Sequence, residues 1–226
     1  MSEDRYASIA HSLRRVGWLQ DRILHRARMK AVEMVVKAGA RTVLDACCGA
    51  GTLSRYLDAS GLQVLGVDAS PAMLQLARRR ASGVHLIQAD VTRLELSELV
   101  DATVIALALH EMTELQRQTM WRALQRLTRP DGVHVVMDYT IPPRATLAAR
   151  TAGWVIRQDE RTMDRDDPGH YQNYLDFLAS GGARGWLTGM GAHVIDEAWY
   201  LFGNLGVFRL GVNRRRENRG IAPPAP

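Results

Sequence analysis

The stretch Val43-Leu44-Asp45-Ala46-Cys47-Cys48-Gly49-Ala50-Gly51-Thr52-Leu53-Ser54 runs from an apolar segment through two glycines into helical spacing. That order is a strand turning tightly into a helix, where backbone comes close to a ligand. Glycine permits the approach and the unusual dihedrals, and the first N–H groups of the following helix favour an electron-rich group. A second apolar run, Val64-Leu65-Gly66-Val67, ends in Asp68, 17 residues after Gly51. At the C-terminal end of the next strand of a parallel sheet, Asp68 stands beside the first loop and can accept both hydroxyls of a ribose. A third run, Ile87-Gln88-Ala89, leads to Asp90 and Val91, where an acid can accept a hydrogen bond from an adenine amino group. Acids and glycines at the ends of consecutive strands read together as a nucleoside site.

The details of the first loop narrow the nucleoside. A dinucleotide turn calls for a third glycine three residues after Gly51, but Ser54 stands there, and no Gly-Lys-Ser/Thr follows to make a P-loop. Asp45 precedes the loop, and its charge repels a pyrophosphate while attracting an ammonium. S-adenosyl-L-methionine carries such an ammonium and is the expected cofactor.

Working outward, short apolar runs alternate with amphipathic segments from Arg41 onward, the pattern of βαβ units and a parallel sheet. Strands are expected near 42-46, 63-67, 84-88, 102-107 and 133-138, and helices near 52-59, 71-80 and 114-128. Pro71 suits the first turn of the second helix, where its missing N–H is not needed. Thr128-Arg129-Pro130-Asp131-Gly132 reads as a turn closing the third. Residues 1-40 carry helical spacing, clearest in Ile23, Ala27, Val32, Met34 and Val35, and are expected to form an N-terminal cap. A helical stretch near 144-156 is followed by the polar segment 157-167, and the whole of 140-190 is read as a lid or acceptor segment. The runs Val194 to Phe202 and Leu205 to Val212, joined by Gly203-Asn204, predict an antiparallel hairpin. One domain over 1-213, with a disordered tail at 214-226, is the expected organisation.

At 226 residues and 46% hydrophobic composition, the chain has enough apolar side chains for one large α/β core. No uninterrupted apolar stretch reaches the roughly 18 residues of a membrane span, and Met1 to Arg5 lack the order of a secretory signal, so a cytoplasmic protein is expected. Cys47 and Cys48 are neighbours and cannot staple distant segments. The net charge of +5 comes almost wholly from Arg, with only Lys30 and Lys37 as lysines, and its one dense cluster, Arg214 to Arg216, sits in the polar tail. Genome composition explains that bias more simply than a nucleic-acid partner.

The order and spacing of these motifs over roughly 40 to 140 resemble the class I S-adenosylmethionine-dependent methyltransferases, and the hairpin near 192-213 is similar to that family's last two strands. The resemblance implies a Rossmann-like α/β fold: a seven-stranded sheet, mostly parallel with one antiparallel strand, and helices on both faces. It also implies roles. Asp45, Cys47 and Gly49 would face the methionine part, Asp68 the ribose, Ala69 and Met73 the adenosine, Asp90 and Val91 the adenine, Leu107 with Ala108 would close the pocket, and Ala46 and Gly51 would complete the cofactor site. The later stretches Met137-Asp138-Tyr139-Thr140, Tyr171 to Ser180 and Gly191 to Gly211 look like the ubiquinone and menaquinone biosynthesis methyltransferases. Where those enzymes carry an arginine-asparagine pair after strand four, this chain has Leu109-His110-Glu111-Met112.

The acceptor side is expected around His110, placed to remove a proton from an acceptor atom or simply to line the pocket, with Tyr139, His170 and Tyr171 shaping an aromatic compartment. The run Asp164-Arg165-Asp166-Asp167 lacks histidine or cysteine at ligand spacing, and no metal is expected. Bases in nucleic acid are disfavoured, because no Asn- or Asp-Pro-Pro-aromatic motif follows strand four. The expected partner is a small-molecule acceptor, quinone-like or another aromatic or apolar metabolite. No stable membrane insertion is expected, while peripheral contact and a homodimer stay open. The rival reading is a non-catalytic protein that binds S-adenosylmethionine for assembly.

Overall fold

A computed structural model of the chain describes residues 7–164 and 167–211, and the side chains of 20–164 and 167–211. The expected tail at 214-226, with its triple arginine, lies outside the described residues, as do Arg165 and Asp166 of the acidic run. The elements in chain order are α1 (Ala7–Lys37), β1 (Thr42–Ala46), α2 (Thr52–Asp58), β2 (Gln63–Asp68), α3 (Pro71–Arg80), β3 (His85–Gln88), β4 (Val100–Ala106), α4 (Glu114–Leu127), β5 (Thr128–Tyr139), α5 (Leu147–Met163), α6 (His170–Ala179), α7 (Gly182–Gly189), β6 (His193–Tyr200) and β7 (Leu205–Gly211).

The seven strands form one sheet in the order β3-β2-β1-β4-β5-β7-β6. All pairings are parallel except those of β7, which runs antiparallel to both β5 and β6. This is the mostly parallel sheet with one antiparallel strand that the resemblance implied. Its strands are apolar runs because helices cover both faces, and alternate side chains enter opposite cores. Val43, Ala102, Val104, Val133, Val135 and Val207 join Ala31, Val35 and Leu57 on one face. Leu44, Ile105, Val136, Phe208 and Leu210 join Trp121, Leu124, Phe177 and Trp186 on the other.

Helix starts follow local chemistry. Ser70 caps α3 by accepting from the Met73 N–H at 3.1 Å, with Pro71 in the first turn. Thr113 and Gln116 make a reciprocal capping box at α4, and Thr146 caps α5 after the two prolines at 142 and 143.

Two expectations change. The five residues Thr128 to Gly132 do not leave the sheet as a turn: Thr128 pairs with Val100 and the next pair is Ala102 with Val133, so Arg129 to Gly132 bulge out within β5. The polar segment expected at 157-167 is largely helical, since α5 runs on to Met163. Its charged residues misled the periodicity, because Glu160 is buried on the inner face rather than exposed. Asp164 then closes the turn by accepting from the N–H groups of Gly169 and Tyr171, at 3.0 and 3.2 Å, so this acid caps the start of α6. No helix among the described residues is long and apolar enough to cross a membrane.

Candidate active site

The strand order reverses between β1 and β4, and a parallel sheet opens a crevice at that point outside its C-terminal strand ends. A cavity of about 620 Å³ lies there. It is lined by Asp45, Cys47 and Gly49 after β1, Asp68, Ala69 and Met73 after β2, Asp90 and Val91 after β3, and Leu107, Ala108 and His110 after β4. Ala46 and Gly51 do not reach it: Ala46 is in the core, and Gly51 faces α3.

The first loop holds its shape through left-handed backbone. Cys47, Gly49 and Gly51 have φ of 56°, 54° and 73°. A side chain on Gly51 would press on Ala77, its Cβ lying 2.9 Å from that of Ala77, whereas one on Gly49 would meet nothing within 4 Å. The two glycines therefore answer different needs, close packing of α3 at Gly51 and an open wall of the cavity at Gly49. Leu107, at the end of β4, is also left-handed with φ 54°, so strained non-glycine residues flank the cavity on two adjacent strands.

The acids are held differently. Asp68 accepts from the backbone N–H groups of Gly49 at 2.7 Å and Ser70 at 2.9 Å, which ties the second strand end to the first loop. Asp45 is buried, and the Ser54 hydroxyl donates to it at 2.5 Å. Burial, and next the nearby Asp68, outweigh that bond and push the Asp45 carboxyl up to about 7. The serine standing where a dinucleotide fold has glycine is thus the partner of the acid, while Gly66 on the neighbouring strand leaves room for Leu86, whose Cδ2 would lie 2.7 Å from a Cβ there. Asp90 is exposed and accepts from the N–H and hydroxyl of Thr92 at 2.9 and 2.7 Å. Burial raises the Cys47 and Cys48 thiols above their ordinary range, consistent with inert small side chains.

Some lining residues were not legible in the sequence. Gln20 and Arg28 of α1 reach the cavity beside Asp45. The Arg28 guanidinium is buried, donates to Asp21 at 2.9 Å, and is lowered from its usual value chiefly by burial. Its position on the inner face of a helix gave no motif to find.

On the far side of the cavity five titratable residues meet. His110 Nδ1 bonds Asp138 Oδ1 at 2.6 Å, and Asp138 also accepts from the backbone N–H groups of Ala108, Leu109 and Tyr139. His170 Nε2 bonds Glu160 Oε2 at 2.7 Å, and the same oxygen lies 3.6 Å from His110 Nε2. Burial would lower the His110 imidazole, but Asp138 and Glu160 hold it up at about 10. His170 is also raised against its burial, chiefly by its bond to Glu160. The Tyr139 ring lies 4.7 Å from that of His110, its hydroxyl is bonded to Glu160, and burial pushes its ionisation well above the ordinary range. Of the four residues expected on the acceptor side, His110, Tyr139 and His170 line the cavity, while Tyr171 stacks on Tyr174 away from it. Asp138 and Glu160 were missed as members of the cluster; nothing in their local sequence distinguishes them from other acids.

Residues 43–132 match the family model described as a methyltransferase domain. The chain is 36% identical over 101 residues to an uncharacterized methyltransferase of Synechocystis sp., covering 44% of this chain and 48% of that protein. It is 35% identical over 120 residues to the demethylmenaquinone methyltransferase of Clavibacter sepedonicus, covering 51% of this chain and 48% of the relative. The chain thus spans about half the length of these curated relatives. Among solved structures, the N-methyltransferase NodS of Bradyrhizobium japonicum, in complex with S-adenosyl-L-homocysteine, superposes with a TM-score of 0.64 over 92% of this chain and 98% of that one, at 16% identity. That likeness speaks for the fold. By its domain match, its relatives and its sheet, the chain is similar to the class I S-adenosylmethionine-dependent methyltransferases, and loosely to the ubiquinone and menaquinone biosynthesis members.

Proposed function

We propose that the chain binds S-adenosyl-L-methionine at the ends of β1 to β3 and catalyses methyl transfer to a small-molecule acceptor held on the His110 side. The observation that carries this reading is one cavity containing both the acid and glycine row and the buried His110 cluster. Asp45 would pair with the ammonium of the cofactor and Arg28 with its carboxylate; Asp68 would take the ribose hydroxyls and Asp90 the adenine amino group. When bound, the cofactor supplies an electrophilic methyl on a sulfonium. In-line displacement asks little of a protein beyond alignment, which can contribute roughly 7 to 11 kcal/mol, and dry walls around a transition state of dispersed charge.

The protein's own part is orientation. The Asp138 carboxylate, anchored by three backbone N–H groups, fixes the His110 ring, and Met120, Met137, Met163 and Tyr139 give the acceptor compartment soft apolar walls. Such walls suit a flat aromatic or apolar metabolite, a quinone-like ring among them, better than a highly charged one. Buried polar groups at the acceptor end favour catalysis over a purely binding role.

Calorimetric titration with S-adenosylhomocysteine and with NAD tests the cofactor, and transfer of a labelled methyl into a small-molecule extract tests the reaction. Binding of the first, none of the second, and a labelled low-molecular-weight product are expected. Binding of NAD without S-adenosylhomocysteine would overturn the reading.

A further inference from the structure

His110 comes from the turn after β4, Glu160 from α5 and His170 from α6, and the three side chains converge in the wall of the cavity. All are buried, at 3%, 5% and 4% exposure, and one nitrogen or oxygen atom of each lies within 4.8 Å of the other two. Both imidazoles turn Nε2 toward the same carboxylate oxygen, at 3.6 and 2.7 Å. A buried glutamate that only needed a hydrogen bond would be served by one partner; here two imidazoles and the Tyr139 hydroxyl crowd around it.

The outer contacts of the cluster fit a metal as well. The opposite nitrogen of His110, Nδ1, bonds Asp138 at 2.6 Å. A carboxylate behind a histidine fixes the ring, so that the inner Nε2 can give its lone pair to a metal that displaces its proton, and it is the usual support of a metal-bound imidazole. Asp138 and Glu160 place two carboxylates in a buried space with two imidazoles, and a dication can take the place of the ring protons that balance them in the empty site.

We propose that His110, Glu160 and His170 form a binding site for one divalent transition-metal ion, with a coordination position open to the acceptor compartment. Two imidazoles and one carboxylate are a borderline donor set that suits zinc and its neighbours, whereas magnesium and calcium prefer oxygen ligands. No local motif announces it, because the residues lie on three separate elements, and Asp164 of the acidic run caps α6 instead. The open position would favour an acceptor bearing an ionisable oxygen. Its O–H proton would pass to water as the oxygen coordinates, and an O–CH3 bond would then form as the S–CH3 bond breaks, releasing S-adenosylhomocysteine. That use of the ion rests on the methyl-transfer reading; the binding of the ion does not.

The test uses the full, tag-free chain, stripped with a chelator and titrated with zinc in competition with a chromophoric chelator, while S-adenosylhomocysteine binding is measured on the same samples. One zinc per chain is expected. His170→Ala and Glu160→Gln should each weaken it by more than about 100-fold, and Asp138→Asn, which alters only the outer partner, by roughly 10- to 100-fold. Circular dichroism establishes that each variant is folded. Cobalt(II) should give visible absorption bands in the native chain that His170→Ala loses, and the Cys47→Ser/Cys48→Ser double variant should keep its zinc. No stoichiometric zinc uptake by the folded chain, uptake undiminished in the folded His170 and Glu160 variants, or uptake lost with the cysteines would each overturn the site. Zinc uptake without S-adenosylhomocysteine binding would sustain the metal site while sinking the methyl-transfer reading; the reverse result would do the opposite.

Discussion

Asp45 shows how one side chain couples ligand choice to pH. Its carboxyl is raised from 3.8 to about 7 by burial, with Asp68 adding to the effect, so in the empty protein it is largely neutral in mildly acid solution. A raised acid favours the folded state in its neutral form: that stability is fully present below 3.8 and is lost as pH rises through about 7. Ligand binding has the opposite sign, because the ammonium pairs with the carboxylate. The affinity for S-adenosylhomocysteine should therefore rise with pH up to about 7, by as much as about tenfold per unit, with a proton released on binding below that point. Calorimetry in buffers of different ionisation enthalpy checks this, and Asp45→Asn should bind weakly and without the slope. A flat affinity in the native chain would remove Asp45 from the ammonium site.

The two glycines of the same loop separate packing from binding. Gly49→Ala, at φ 54° in open space, should cost about 1–2 kcal/mol of stability from its backbone alone. Gly51→Ala, at φ 73° and against Ala77, should lose that and a further 1–3 kcal/mol or so from overpacking. Urea unfolding gives the two losses, and calorimetry should show that Gly49→Ala harms S-adenosylhomocysteine binding more than its small destabilisation explains. Equal stability losses would contradict the assignment of Gly51 to the α3 contact.

Among the elements, the strands and first helices were legible because their apolar periods answer to burial on one face or both. Val43 and Leu44 entering opposite cores is the property that made the run readable as a strand. Helix α5 was legible only in its first half. A charged residue on an inward face looks like a solvated one until the packing partner is known, and Glu160 owes its burial to His170 and Tyr139. The ends of β4 and β5 are knit by Asp138, which receives the His110 ring and three backbone N–H groups. Asp138→Ala should leave those donors buried and cost about 3–5 kcal/mol in chemical denaturation. A loss under about 1 kcal/mol would mean that water replaces the carboxylate there.

Across the whole molecule, the cavity collects groups from α1, four strand ends, α5 and α6, so a ligand filling it binds the folded state alone. S-adenosylhomocysteine at about 100 times its dissociation constant should add roughly 2.7 kcal/mol to stability, and Asp68→Ala should weaken its binding at least about tenfold and erase about half of that gain or more at the same concentration. Unchanged stabilisation of the Asp68 variant would take that acid out of the site.

The cofactor half of the candidate site is local in sequence. A strand, its glycine turn and the acid that ends the next strand are placed by backbone geometry within a few residues, so Asp45, Gly49, Asp68 and Asp90 were readable as one row from spacing alone. The acceptor half is made by distance. His110 and Asp138 are separated by 28 positions, and Glu160 and His170 by ten across a helix end; they meet only because the parallel sheet brings β4 beside β5 and the helices after β5 fold back over its edge. Their chemistry depends on burial, which is a property of the packed chain and of no single residue in it. Sequence therefore determined the sheet, its crevice and the kind of cofactor expected there, while the tertiary structure decided what stands opposite that cofactor.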